Sequence, residues 1–261
     1  MLRVSEAWSS TAFPGIVVFA GGRVPKLEGE RISGAVGRLL ARFDVTGGVR
    51  VRITGPNCGF GPMLVQVNLR VARTPVRIQT LIYGPGEALP VVLRLERQLL
   101  ALRETWRQRS WPDPTRLALD APGAGRITRR KAIALRADEP LTAAAAMDAM
   151  DYDTHLFTDS ETGEDAIVYR AGPSGLRLAR QHHVRPPRAS AAASQPGALV
   201  TNPRPAPALT ETCAVERICD GGLPFLFYTD ADTGRGHLLY RRYDADLGLI
   251  APDNDTVEPL P

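Results

Sequence analysis

A segment that occurs twice constrains the fold of this chain more than any other feature. Residues 158–170 read TDSETGEDAIVYR, and residues 229–241 read TDADTGRGHLLYR. Six positions are identical at a constant offset of 71 residues. In each copy we expect Thr-Asp to end one strand, Thr-Gly to form the turn, and a second strand to close on Tyr-Arg. Self-similarity on this scale indicates a duplicated unit, so the chain should contain a front domain and two copies of a small module.

Composition along the chain suggests where these parts begin and end. The chain of 261 residues is long enough for several small domains. Residues 110–125 are rich in Pro and Gly, and residues 185–208 are rich in Pro, Ala and Ser, so both predict extended, unstructured linkers. We therefore expect a front domain over 1–109, a first C-terminal module over 126–184 and a second over 209–261.

Hydrophobic periodicity predicts the elements of the front domain. A short apolar run is followed by a helical spacing of apolar residues, three alternating segments and a second helical pattern. These patterns cover residues 15–20, 26–43, 49–54, 65–72, 76–83 and roughly 87–109. The predicted class is α+β: a β-α-β-β-β-α domain, with a four-stranded sheet and two helices on one face, followed by two small α/β-hairpin modules.

The charge is distributed unevenly. Residues 1–110 contain 16 Lys or Arg against 7 Asp or Glu, whereas residues 186–261 contain 6 against 10. Nearly all the cations are Arg, and the planar guanidinium group can pair with two phosphate oxygens at once. This distribution favours a polyanionic partner for the front domain and not for the rear of the chain.

Eleven arginines in the front domain are candidate RNA-binding residues. They occupy the polar positions of the predicted strands and the exposed stripes of the two predicted helices. The set comprises Arg31, Arg38, Arg42, Arg50, Arg52, Arg70, Arg77, Arg94, Arg97, Arg103 and Arg107. For any single one of them an ordinary solvated surface remains the alternative. Tyr83 is the only aromatic candidate for base stacking, so we expect phosphate contacts on structured RNA that read shape more than sequence.

Other kinds of site find little support. The His182-His183 pair has no third ligand nearby in sequence, and residues 55–61 lack the strand-to-helix setting of a dinucleotide loop. We predict no catalytic residue, no cofactor and no metal, so the chain is not expected to be an enzyme. The start of the chain lacks the apolar core of a signal peptide, and the apolar runs are too short to span a bilayer. We expect a cytoplasmic protein with no membrane partner.

Several short motifs resemble one known family. They read RRK at 129–131, FTD at 157–159, VYR at 168–170, YRRYD at 240–244 and GLI at 248–250. These motifs, with the order of elements in the front domain, resemble the long-form ribosome hibernation-promoting factors. Ordinary long forms carry one C-terminal module, and two copies resemble the dormancy-type members of the family.

The resemblance implies a function for the front domain. Such proteins place their basic domain on the small ribosomal subunit between head and body. There it occludes the mRNA and tRNA sites, inhibits translation and preserves idle ribosomes. The expected partners are therefore small-subunit rRNA and ribosomal proteins. The alternatives are a factor that joins ribosomes into 100S dimers, and a protein-interaction or sensor protein with a basic nucleic-acid-binding domain.

The resemblance also implies a role for the modules. In the family, a single module pairs with its counterpart on another ribosome. Here both copies share one tether, which holds them at an effective concentration of order millimolar, so we expect them to pair within the chain and to leave 70S monosomes. The predicted interface comprises Leu156, Phe157, Tyr169, Phe225, Phe227 and Tyr240. The alternative is that these side chains form the private core of each module.

Overall fold

The computed structural model describes residues 6–55, 61–84, 86–108, 125–188, 199–242 and 246–253. Over these residues the chain is α+β, with four α-helices and three five-stranded sheets, which confirms the predicted class. The described residues up to 108, together with Asp148–Tyr152, form one compact unit, and the remainder form a second. The predicted linker over 110–125 lies outside the described residues except for its last position.

The first unit is built on one sheet with strand order β1-β2-β3-β4-β5. Its strands are β1 (Glu6–Ser9), β2 (Ile16–Gly21), β3 (Val49–Thr54), β4 (Met63–Val71) and β5 (Thr74–Ile82). Helix α1 (Lys26–Arg42) connects β2 to β3, which pair in parallel, and the other neighbours are antiparallel. Helix α2 (Leu89–Ala101) follows β5.

Both helices lie on the same side of this sheet. Val49, Val51 and Ile53 are buried along β3, whereas Arg50 and Arg52 between them are exposed. The buried strand positions share one apolar cluster with residues of α1 and of α2. Because successive side chains of a strand point to opposite faces, the arginines stand on the face that the helices do not cover.

The sheet has one more strand than the four predicted. β1 pairs with β2, and Trp8 of β1 packs on α1, where a Cβ at Gly29 would stand 2.5 Å from the Trp8 ring. The Trp8 Nε1 donates a hydrogen bond of 2.9 Å to Glu30. The four residues of β1, EAWS, do not alternate between polar and apolar, so periodicity did not reveal this strand.

Helix α2 is shorter than predicted. It ends at Ala101, and the predicted continuation to residue 109 is absent from the part that is described, residues 102–108. These residues make tertiary contacts instead: Arg103 donates to the carbonyl of Phe43 at 3.2 Å, and the Trp106 Nε1 donates to Asp148 at 3.0 Å.

The second unit contains the two copies of the repeat. The first copy comprises β7 (Ala137–Asp138), α3 (Pro140–Ala149, whose last two residues belong to the first unit), β8 (Thr154–Asp159), β9 (Asp165–Arg170) and β10 (Leu176–Arg180). The second comprises β12 (Ala208–Leu209), α4 (Glu211–Asp220), β13 (Phe225–Asp230), β14 (Gly236–Arg241) and β15 (Leu247–Pro252). Corresponding elements begin 71 residues apart throughout, so the duplication extends well beyond the 13 residues that are visibly similar.

Each copy completes its sheet with a strand that belongs, in sequence, to the other copy. β6 (Ile127–Ile133) precedes the first copy but pairs in parallel with β15 of the second. β11 (Leu199–Thr201) precedes the second copy but pairs in parallel with β10 of the first. The sheet orders are therefore β11-β10-β9-β8-β7 and β12-β13-β14-β15-β6.

This exchange corrects two sequence-based expectations. The motif at 129–131 was expected to open the first module, yet it lies in β6 and extends the sheet of the second copy. The linker expected to be unstructured over 185–208 contains β11 and the first residue of β12. A strand that pairs in parallel with a distant segment leaves no local pattern to show which sheet it joins.

Candidate nucleic-acid interface

The open face of the first sheet carries polar rows that run across neighbouring strands. The register places Arg50 of β3 opposite Asn68 of β4, and Asn68 opposite Arg77 of β5. The adjacent row contains Arg52, Gln66 and Gln79. The Gln66 amide donates to Gln79 at 2.7 Å, and Arg77 also donates to Gln79. This face therefore presents guanidinium and amide donors, which suit phosphate and ribose oxygens.

Three arginines of this face are free to meet an external anion. Arg50, Arg52 and Arg70 are exposed, and among the described residues none of them makes an ion pair. Arg77 is half-buried, and its guanidinium lies 5.0 Å from the ring centre of Tyr152. We call Arg50, Arg52, Arg70 and Arg77 the sheet surface.

A second set of arginines lies on the opposite side of the domain. Arg31, Arg38 and Arg42 are exposed on α1, and Arg97 is exposed on α2. Because both helices cover the other side of the sheet, these side chains point away from the sheet surface. Arg103 and Arg107 are exposed beyond the end of α2. We call Arg31, Arg38, Arg42, Arg97 and Arg103 the helix surface.

Intramolecular contacts occupy part of the helix surface. Arg31 lies 3.7 Å from Glu28, and Arg42 forms an ion pair with Glu96. The Arg103 guanidinium lies 4.7 Å from the ring centre of Phe43. The Arg42–Glu96 pair lies at the surface and is therefore weak, so Arg42 can exchange its acidic neighbour for a phosphate at little cost, whereas the Glu28 carboxylate beside Arg31 is buried.

Arg94 is a correction to the predicted set. Its side chain is 5% exposed, and its Nε and Nη2 donate to the Asp151 carboxylate at 2.8 and 2.7 Å. The backbone N–H of Gln79 donates to the same carboxylate at 2.9 Å. Arg94 thus holds a buried acid within the first unit and has no surface from which to reach RNA.

In the second unit, the two sheets pack against each other through one apolar cluster. Eight of the ten residues of the cluster form pairs that are equivalent in the repeat, each 71 positions from its counterpart. These pairs are Leu135 with Ala206, Leu156 with Phe227, Ile167 with Leu238 and Ala179 with Ile250. Contact between equivalent surfaces is the property of an isologous, twofold interface. The two copies are therefore related by a pseudo-twofold axis that passes through this cluster.

Four of the six predicted interface residues lie in the cluster. Leu156, Tyr169, Phe225 and Phe227 are members, and the Tyr169 and Phe225 rings meet edge to face at 5.2 Å. The two others, Phe157 and Tyr240, lie outside it, and each needs a separate explanation.

Phe157 is a correction to the predicted interface, whereas Tyr240 lies on the same sheet face as Leu238 of the cluster and stays a prediction. Phe157 follows Leu156 directly, so its side chain points to the opposite face of the sheet, and it is fully buried there. Its counterpart in the repeat, Tyr228, lies in the second copy's own core, packed with α4. The ring of Tyr240 lies against Gly248, where a Cβ would stand 2.4 Å from it. For Phe157, therefore, the private-core alternative is the correct one.

Polar contacts also join the two copies. Asp165 accepts hydrogen bonds of 2.8 Å from the Arg235 Nε and from the Gly236 backbone N–H. The Gln181 amide donates to Thr229 at 3.2 Å and to the Gly234 carbonyl at 2.9 Å. The hydrogen bond to Asp165 raises the pKa of Arg235.

An ion pair fixes the exchanged strand β6 as well. Arg130 of β6 pairs with Glu211 in the first turn of α4. This hydrogen bond, against the opposing effect of burial, lowers the pKa of Glu211. Arg130 is exposed and Glu211 is half-buried, and the contact joins a strand from before the first copy to the helix of the second.

Membrane spans and metal centres are the other kinds of site to consider. Among the described residues, no helix is both long and apolar enough to cross a membrane. The same residues contain no group of three or more His, Cys, Asp or Glu that could hold a metal ion.

Comparisons with known proteins identify the family. Residues 123–178 match the family described as "Sigma 54 modulation/S30EA ribosomal protein C terminus". The chain is 56% identical over 248 residues to a protein of Mycobacterium tuberculosis (strain CDC 1551 / Oshkosh) named "Dormancy associated translation inhibitor". The aligned residues cover 94% of this chain and 91% of that protein. The same values apply to the protein of that name from strain ATCC 25618 / H37Rv. This identity extends through the basic domain and both modules, and the chain therefore belongs to the long-form ribosome hibernation-promoting factor family.

Proposed function

We propose that this protein is a ribosome hibernation factor that binds the small subunit between head and body, occludes the mRNA and tRNA sites and so inhibits translation. The observation that carries the proposal is the pair of basic surfaces on opposite sides of the first unit. A domain lying in a cleft meets rRNA on both sides, so it needs cations on both. The name of the Mycobacterium tuberculosis relatives, a translation inhibitor associated with dormancy, supports the same function.

The composition of the sheet surface favours recognition of RNA shape. Guanidinium groups and amides line the rows across β3, β4 and β5, and they contact phosphate and ribose without reading bases. Tyr83, which is 64% exposed, lies one residue beyond β5 and could stack on one base at most. Recognition through phosphates and groove shape suits folded rRNA.

The second unit supports a 70S outcome. The faces of the two sheets that could receive a module from another chain are covered by each other through the shared apolar cluster. The tether that joins the copies favours this pairing over pairing between chains. We therefore propose that the modules pair within one chain and that the protein silences single ribosomes without joining them.

Binding to purified small subunits at several salt concentrations tests the two-sided contact. One variant carries Arg50→Glu and Arg52→Glu on the sheet surface, and a second carries Arg38→Glu and Arg42→Glu on the helix surface. Each should weaken binding and lower the salt dependence of log K by about one unit for each phosphate that the variant no longer neutralises. Arg204→Glu, an exposed arginine of the second unit, is the matched control and should change neither quantity.

The two variants also separate the possible failures. Loss of binding in one variant alone would mean that a single surface meets RNA and that the cleft geometry is wrong. Wild-type binding in both would show that the first unit is not the ribosome-binding part. In a translation extract, wild-type protein should reduce peptide synthesis, and each variant should do so less.

A further inference from the structure

Two equivalent residues meet at the pseudo-twofold axis and differ in kind. Asp165 is the first residue of β9, and Gly236 is the first residue of β14, 71 positions later. The Gly236 N–H donates to the Asp165 carboxylate at 2.8 Å. A Cβ at Gly236 would lie 2.6 Å from the Asp165 Cβ and 2.9 Å from the Phe227 ring. The axis therefore has room for one side chain, and the first copy supplies it.

The preceding residues differ in a complementary way. The first copy has Glu164 and the second has Arg235 at the equivalent position. Arg235 places its guanidinium on Asp165, a side chain that is only 4% exposed, and so neutralises a buried acid. Glu164 points elsewhere and accepts a 2.9 Å hydrogen bond from the backbone N–H of His182.

A third position adds to the asymmetry. Gln181 of the first copy bonds to Thr229 and to the Gly234 carbonyl of the second. Its equivalent in the second copy is Pro252, which has no amide side chain to offer. The polar contacts across the axis thus use different residues from each copy, although eight of the ten residues of the apolar cluster are symmetry-equivalent pairs.

We propose that Asp165, Arg235 and Gly236 determine which modules pair, so that a first copy accepts a second copy and rejects another first copy. Two first copies would place two carboxylates and two Cβ atoms at an axis with room for one, without a cation. Two second copies would place glycine against glycine and leave Arg235 without its acid. The inference deepens the proposed pairing and rests on it, and it names the partner as a module of the other type.

Two recoded full-length chains test this partner choice. In one, Phe227→Leu, Arg235→Glu and Gly236→Asp make both copies resemble the first, since Leu156 is the first copy's equivalent of the Phe227 ring that a Cβ at position 236 would meet. In the other, Glu164→Arg and Asp165→Gly make both resemble the second. Each chain alone should unfold at a lower temperature than wild type, since neither can form the axis contact. Mixed in equal amounts, the two should form a 1:1 complex in sedimentation velocity and regain thermal stability, because their modules are complementary between chains.

A milder set of variants covers the case in which the recoded chains do not fold. Asp165→Asn and Arg235→Gln keep the approximate size of each side chain and remove its charge. If the two residues act together, the double variant should lower the melting temperature no more than the more damaging single variant does. Additive decreases would contradict the inference, as would recoded chains that keep the wild-type melting temperature and stay monomeric when mixed.

No ribosome takes part in these measurements, so their failure is distinct from failure of ribosome binding. A wild-type protein that sediments as a dimer would contradict pairing within the chain. If the wild-type protein is a dimer, a 1:1 complex of the two recoded chains would still support the inference that a first copy pairs with a second copy.

Discussion

Arg94 and Arg97 stand about one turn apart on α2 and have opposite environments. Arg94 is buried and held by Asp151, whereas Arg97 is exposed. Both have the same charge and occupy the same predicted helix, so the sequence placed both in the RNA-binding set. The acid that pairs with Arg94 lies 57 residues away in sequence, and the residues around Arg94 give no indication of it. Hydrophobic periodicity predicts which face of a helix is apolar, but it does not predict that a distant segment will bury a polar residue of that helix.

These two residues give a matched prediction. Arg94→Ala should lower the free energy of unfolding by about 3–5 kcal/mol, because it leaves the Asp151 carboxylate buried and uncompensated. Arg97→Ala should change stability by less than about 0.5 kcal/mol. Chemical denaturation measures both, and similar decreases in the two variants would contradict the assignment. Under the proposed function, Arg97→Ala should also reduce the salt dependence of ribosome binding.

At the scale of elements, the repeat predicted the hairpins better than the sheets. The strands β8 and β13 end at Asp159 and Asp230, and the returning strands end at Arg170 and Arg241, as the repeated pattern indicates. The pairing partners of β6 and β11 were not predicted, since strand exchange depends on tertiary contacts. In the first unit the alternation on β3, β4 and β5 identified the open polar face. It did not show that the helix arginines stand on the other side.

The capped start of helix α4 is testable at the same scale. The Thr210 hydroxyl caps α4 by accepting a hydrogen bond of 3.4 Å from the backbone N–H of Cys213. Thr210→Ala should destabilise the protein by about 0.5–2 kcal/mol, because it leaves that donor without its cap. Thr210→Ser keeps the hydroxyl and should stay close to wild type. Thermal unfolding followed by circular dichroism measures the stability of both variants. Equal destabilisation of the two would mean that the hydrogen bond from the Thr210 hydroxyl does not stabilise the helix.

At the scale of the whole molecule, charge and duplication have separate roles. The basic residues are concentrated in the first unit, whereas residues 186–261 carry 6 cations against 10 acids. Under the proposed function, attraction to rRNA therefore acts mainly on the front of the chain. Under the same proposal, the second copy covers the face of the first copy that would otherwise be open to a module of another chain. Duplication would thus replace a contact between ribosomes by a contact within the chain.

Sedimentation of saturated ribosomes tests this replacement. With wild-type protein the ribosomes should remain a 70S peak, because neither module exposes its pairing face. The chain carrying Phe227→Leu, Arg235→Glu and Gly236→Asp should be mixed with the chain carrying Glu164→Arg and Asp165→Gly. The mixture should move part of the ribosomes to a 100S peak, because modules on different ribosomes are then complementary. Each recoded chain alone should leave 70S ribosomes, since its modules are of one type. A dominant 100S peak with wild-type protein would contradict pairing within the chain, whereas 70S ribosomes with the mixture would mean that module pairing cannot bridge two ribosomes.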